Sequence, residues 1–156
     1  MSTQHRFACL WGMICTQSSI DQEKNNVSLF NVIENINVPQ KSFDTAAQEN
    51  KKIVLNINHE IVFLLRKNIP NQIDNEDISF DLKIECKADN GEVLYEVIQP
   101  ITFPGKARRF RNRIILDKFL LNQPGDYCYD ISFFDKSTDE QFYLYSIPIE
   151  VTAVQT

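Results

Sequence analysis

Apolar and polar residues alternate with a period of two along most of the chain. The clearest case runs from Ile78 to Ala88, where Ile78, Phe80, Leu82, Ile84 and Cys86 share one parity and Ser79, Asp81, Lys83, Glu85 and Lys87 the other. Successive side chains of a β-strand point to opposite faces, so this segment predicts a strand with one buried and one wet face. Asp89-Asn90-Gly91 then supplies residues that tolerate positive φ, predicting a tight hairpin into Glu92–Phe103. Pro104-Gly105 and Pro124-Gly125 read as type II turns, with Pro at the first central position and Gly at the second. Further strands are predicted at Arg6–Thr16, Val27–Asn37, Lys52–Arg66, Arg108–Leu121, Tyr127–Asp135 and Phe142–Val151. Between the second and third of these lies a long polar loop, Val38–Lys51, with one helical turn expected at Asp44–Gln48. No amphipathic segment at helical spacing exceeds two turns. About eight strands without βαβ alternation predict an all-β fold: a two-sheet antiparallel β-sandwich, immunoglobulin-like or jelly-roll-like, formed by residues 1–156 as one domain.

Composition changes this picture little and charge changes it more. A chain of 156 residues that is 43% apolar and 24% charged can bury a self-sufficient core, and its aromatic content excludes a disordered chain. The net charge of −5 makes the molecule as a whole repel phosphate and anionic membrane surfaces, so any anionic partner must meet a local patch. Cys9, Cys15, Cys86 and Cys128 lie in apolar runs with neither a CxxC pair nor a neighbouring His, which predicts buried free thiols rather than metal ligands. Cys9 and Cys15, six residues apart on one strand, sit about 20 Å from each other, far outside disulfide reach. The apolar run Ala8–Cys15 is too short to span a membrane and reads as a buried strand, not a signal core, so a reducing cytoplasm is the expected setting.

Several segments together resemble a family of short bacterial β-sandwich proteins known only as a domain of unknown function. The resemblance lies in the opening strand Ala8-Cys9-Leu10-Trp11-Gly12, in Val27-Ser28-Leu29-Phe30-Asn31-Val32, in the hairpin Ala88-Asp89-Asn90-Gly91-Glu92, and in Leu120-Leu121-Asn122-Gln123-Pro124-Gly125-Asp126-Tyr127. It implies a sandwich architecture and supplies no catalytic or binding residues.

The most specific chemical feature is basic. Lys106, Arg108, Arg109, Arg111 and Arg113 place five positive charges in eight residues of an otherwise acidic chain. On a strand, Arg109, Arg111 and Arg113 share one face at about 6.6 Å intervals, while Phe110 and Ile114 turn inward. Guanidinium forks bind oxyanions bidentately, so this ladder suits the phosphates of a nucleic acid, a polyphosphate or a row of carboxylates. Two plainer readings compete: pairing across the sheet with Asp81, Glu85 or Glu96, or edge charges that discourage aggregation. Asp74-Asn75-Glu76-Asp77 with Asp81 is acidic but lacks the spacing and the central Gly of a calcium loop, so no metal is expected. His59 shares the core-facing parity of Ile57, Ile61 and Phe63, and reads as a core histidine unless it lines a pocket. Ser28, Ser79, Ser132 and Ser146 lack a nucleophile turn, and four glycines build no phosphate loop, so no catalytic residue and no cofactor is assigned.

The last strands carry apolar residues on both parities, with Phe134, Phe142 and Leu144 opposite the main row. These are interface candidates for a protein partner or self-association, and Pro148 marks the final strand as a sheet edge. The reading is therefore a non-enzymatic interaction or assembly module. Anion or nucleic-acid binding at the arginines is the alternative, and an enzyme with a pocket at His59 a second one. No membrane association is expected.

Overall fold

The computed structural model describes residues 7–68, 77–135 and 139–155. In chain order the elements are β1 (Phe7–Asp21), β2 (Asn26–Val32), β3 (Asn35–Pro39), α1 (Gln40–Glu49), β4 (Ile53–Leu55), β5 (His59–Lys67), β6 (Ile78–Lys87), β7 (Val93–Phe103), β8 (Arg109–Leu116), β9 (Phe119–Leu121), β10 (Gly125–Asp135) and β11 (Glu140–Val154). The fold is all-β. The described strands form a four-stranded sheet ordered β2-β1-β5-β8, a five-stranded sheet ordered β3-β11-β10-β6-β7, and a two-stranded ribbon of β4 and β9.

Eleven strands in three sheets replace the eight expected in two, and the reason is the same at each split. A predicted strand breaks where the chain changes sheet. At the first break, Ile33 donates its N–H to Ile14 of β1, while Glu34, the next residue, accepts from Glu150 of β11. A single peptide step hands the chain from one large sheet to the other, and β3 then runs parallel to β11, which a purely antiparallel sandwich does not contain. Lys52–Arg66 divides at Asn56–Asn58, where Ile57 bonds back to Leu55, and Arg108–Leu121 divides at Asp117–Lys118. Their short halves, β4 and β9, pair with each other.

The two large sheets enclose one apolar core. Phe7, Phe63 and Leu65 from the first sheet meet Leu82, Phe103, Tyr129 and Phe133 from the second. Phe7 stacks on Phe103 and meets Phe133 edge-on, at centroid separations of 5.4 and 5.8 Å. The loop expected at Val38–Lys51 contains a full helix, α1, which buries Phe43 and Ala46 and closes on Asn50 in the left-handed conformation. The hairpin at Asp89-Asn90-Gly91 forms as predicted, with Gly91 at φ 85 and its N–H on Ala88. The Pro104 turn is offset by one residue: Pro104 opens it and accepts the N–H of Ala107.

Candidate functional site

The basic strip folds as β8, which lies at the edge of the first sheet and has β5 as its one neighbour among the described strands. Ile114 is buried and Phe110 packs on the core, as the alternation requires, leaving Arg109, Arg111 and Arg113 on the opposite face. Arg109 and Arg113 are exposed, Arg111 is half-buried, and Lys106 and Arg108 are exposed in the approach to the strand. Cross-strand partners on β5 extend the face: Arg66 stands opposite Arg109, Leu64 opposite Arg111 and Val62 opposite Arg113. The next row, on β1, brings Trp11 and Met13 beside Leu64 and Val62. A like-charge pair directly across two strands is unfavourable without an anion, and no described carboxylate forms an ion pair with Arg66 or Arg109.

The other two arginines have partners that sequence spacing could not suggest. Arg111 donates through Nη1 to the side chain of Asn25 at 3.3 Å and through Nη2 to its carbonyl at 3.2 Å. Asn25, at φ 54, ends the β1–β2 turn, where Asp21 accepts the N–H groups of Glu23 and Lys24. The hairpin therefore curls back over the outer face of its own sheet. Thr16 accepts from Asn31 and donates to the Phe30 carbonyl, at the point where Asn31 takes φ 51 and bends the hairpin. Beneath it, Glu60 is buried and accepts from Ser18 at 2.5 Å, and Arg113 reaches Glu60 at 3.8 Å. The expected pairing of the ladder with Asp81, Glu85 or Glu96 does not occur, because those residues belong to the other large sheet. There Lys83 meets Glu96 at 3.3 Å, and Gln141 bridges Glu85 and Ser132.

That outer face of the second sheet carries ion pairs of its own. Lys87 contacts Asp130 at 2.9 Å, and Ser146 donates to the same carboxylate at 2.7 Å. Burial would raise the Asp130 pKa, but the bonds from Lys87, Ser146 and Cys128 outweigh it and hold the carboxyl below its ordinary value.

The proposed apolar interface is rearranged. The β10–β11 register shifts between Ile131, opposite Tyr145, and Ser132, opposite Tyr143, so Leu144 is an extra residue in a β-bulge. A bulge reverses the parity beyond it. Phe142 therefore turns inward and stacks on Phe133 at 4.8 Å, and Leu144 packs against the core. Phe134 is half-buried on the outer face, and the exposed aromatic is Tyr143, at 64%. Pro148 does not mark an edge along the whole strand: β11 pairs with β10 from Glu140 to Val151 and with β3 from Glu150 onward. Pro148 lies just before that second pairing starts, where its missing N–H costs no ladder bond.

His59 lies in the core, 2% exposed. Its Nδ1–H donates to the Ile57 carbonyl at 2.8 Å, and Nε2 accepts from the Tyr129 hydroxyl at 2.8 Å. Tyr95 bonds to the Tyr129 hydroxyl in turn, which continues a polar chain through the core. The adjoining void measures about 10 Å³, the room of one water, and is otherwise lined by Ile14, Ile33, Ile36, Ile57, Phe119 and Ile149. No substrate fits beside this imidazole. Burial lowers the His59 pKa and raises those of Tyr95 and Tyr129.

All four cysteines are unpaired; burial pushes Cys9 up to about 11 and Cys86 up to about 12. Thiolate is the nucleophile, so these two are expected to resist iodoacetamide in the folded protein and to react once urea unfolds it, a contrast that mass spectrometry reads directly. Asp74, Asn75 and Glu76 lie outside the described residues, while Asp77 accepts the N–H of Gly105 at 2.8 Å. No group of three His, Cys, Asp or Glu among the described residues is placed to hold a metal ion, and no described helix is long and apolar enough to cross a membrane.

No family model matches the chain, and no curated protein matches it. Among solved structures it is similar to the X-ray structure of Northeast Structural Genomics Consortium target SoR45, at 8% identity and a TM-score of 0.40, over 99% of this chain and 96% of that one.

Proposed function

We propose that the chain is a non-enzymatic interaction module that receives an anionic partner on the β5–β8 edge of its first sheet. The observation that carries this reading is the Arg66–Arg109 pair, two arginines opposed across adjacent strands: Arg66 donates to the Asn68 side chain at 3.4 Å, and neither forms an ion pair with a described carboxylate. Arg113, Arg108 and Lys106 extend the positive strip, and in a chain of net charge −5 this concentration of one sign is local. An anion placed there relieves the like-charge repulsion and gains charge-assisted hydrogen bonds. The apolar-interface reading loses support because Phe142 and Leu144 turn inward. The sandwich architecture implied by the family resemblance is supported by two large sheets around one core. Four free thiols favour a reducing, cytoplasmic setting.

The test is titration of fluorescent polyglutamate with wild-type protein and with an Arg66→Ala/Arg109→Ala/Arg113→Ala variant. Arg111 is left in place so that its tie to Asn25 survives. Binding is expected to fall as salt rises and to drop about tenfold or more in the variant, at least 1.4 kcal/mol. Equal affinities for variant and wild type would remove the ladder from the function.

A further inference from the structure

We propose that the partner is an acidic peptide in extended conformation that adds to β8 as a fifth strand of the first sheet. This rests on the anionic-partner reading and names the partner's class. In an antiparallel pair, alternate residues turn both backbone groups toward the neighbouring strand or away from it. Lys67 donates its N–H to the carbonyl of Arg108 at 3.0 Å, which marks 108, 110, 112, 114 and 116 as the residues bonded to β5. Arg109, Arg111, Arg113 and Ile115 therefore direct their N–H and C=O groups to the open side. A second observation agrees: the N–H of Arg113 is met by the side chain of its own neighbour, Asn112, at 2.7 Å, and not by β5.

The residues that turn their backbone groups to the open side are thus the ones that carry the ladder, and an incoming strand would take the Arg113 N–H over from the Asn112 side chain. A strand arriving on this side would form its backbone hydrogen bonds with Arg109, Arg111, Arg113 and Ile115. Its directly opposed side chains would stand about 5 Å from theirs, on the same face. Carboxylates opposite Arg109 and Arg113 would each meet a guanidinium, with Arg66 adding a second one at the Arg109 end, while Arg111 stays tied to Asn25. At the other end Ile115, 65% exposed, calls for an apolar residue. A second copy of β8 is a poor occupant, since it sets arginine against arginine. A nucleic acid can use the guanidiniums, but it has no strand backbone to bond the N–H and C=O groups on the open side.

The test uses three fluorescent probes on the whole chain: an eight-residue peptide, the length of β8, alternating glutamate with valine and threonine; the same peptide N-methylated at the amides that would donate to β8; and a single-stranded oligonucleotide of equal charge. The parent peptide is expected to bind most tightly and to lose about tenfold or more on N-methylation. The Arg66/Arg109/Arg113 variant, its fold checked by circular dichroism, is expected to lose a similar factor. Equal binding of the two peptides overturns strand addition and leaves the anion reading standing. Preference for the oligonucleotide also overturns it and assigns the ladder to nucleic acid. Binding of none of the probes overturns both.

Discussion

Phe63→Ala is expected to lower the free energy of unfolding by about 3–5 kcal/mol. Phe63 is fully buried at the centre of β5, turned toward the second sheet, and its cross-strand neighbours are Gly12 on β1 and Asn112 on β8. Removing the ring forfeits its transfer energy and leaves a void, and the size of the loss depends on whether neighbours can move in. Gly12 has no side chain to offer, and a Cβ built there would already meet Ile147 at 3.0 Å and Tyr145 at 3.3 Å. The two sheets are therefore in close contact at this point and cannot slide closer to fill the space. For a domain whose total stability is about 5–15 kcal/mol, the variant would be marginal at room temperature. Urea unfolding followed by circular dichroism measures the effect, with Val54→Ala, at a half-exposed position on β4, expected within about 0.5 kcal/mol of wild type. Equal effects from the two substitutions would contradict a core shared by the two large sheets.

Gly12 also illustrates what the alternation of residues does not record. Period two identified nearly every stretch of strand, because burial of one face constrains every second residue. It passed unbroken through Ile33-Glu34, Asn56–Asn58 and Asp117-Lys118, because a strand that leaves one sheet for another keeps its alternation on both sides of the step. The choice of sheet is made by distant partners, Ile14 and Glu150 in the first case. The bulge at Leu144 hid in the same way: apolar residues on both parities looked like two apolar faces, but one inserted residue gives the same pattern with a single face. Helix α1 was legible only as one turn, since it buries just Phe43 and Ala46 along its ten residues.

The candidate site divides similarly. Local charge density and alternation were enough to place Arg109, Arg111 and Arg113 on one outward face. Their surroundings depend on separations of up to 86 positions, the distance in sequence from Asn25 to Arg111, and no local signal carries that. Had Asn25 been weighed as a residue able to take positive φ in a turn, the hairpin tip would have been visible, though not its landing point.

The second large effect concerns pH, and it follows from the core position of His59. His59→Leu is close to the same volume but leaves the Ile57 carbonyl and the Tyr129 hydroxyl without their partner, a cost of about 1–3 kcal/mol near neutral pH. The cost should shrink in acid. Burial lowers the folded-state pKa of His59 below its ordinary value of 6.5, so between those two pKa values the unfolded chain holds a proton at this residue that the folded protein does not. The stabilisation from a neutral, bonded imidazole is therefore fully present above pH 6.5 and is lost as pH falls toward the folded-state pKa. Leucine has no such proton to take up. The carboxylates, Asp130 among them, titrate in both proteins and cancel when the two are subtracted. Thermal melts of wild type and variant from pH 8 downward should thus converge as the pH drops below 6.5, the wild type losing its advantage while the variant follows the carboxylates alone. Curves that stayed parallel would mean that His59 titrates alike in the folded and unfolded chains, and would contradict the lowering by burial on which the prediction rests.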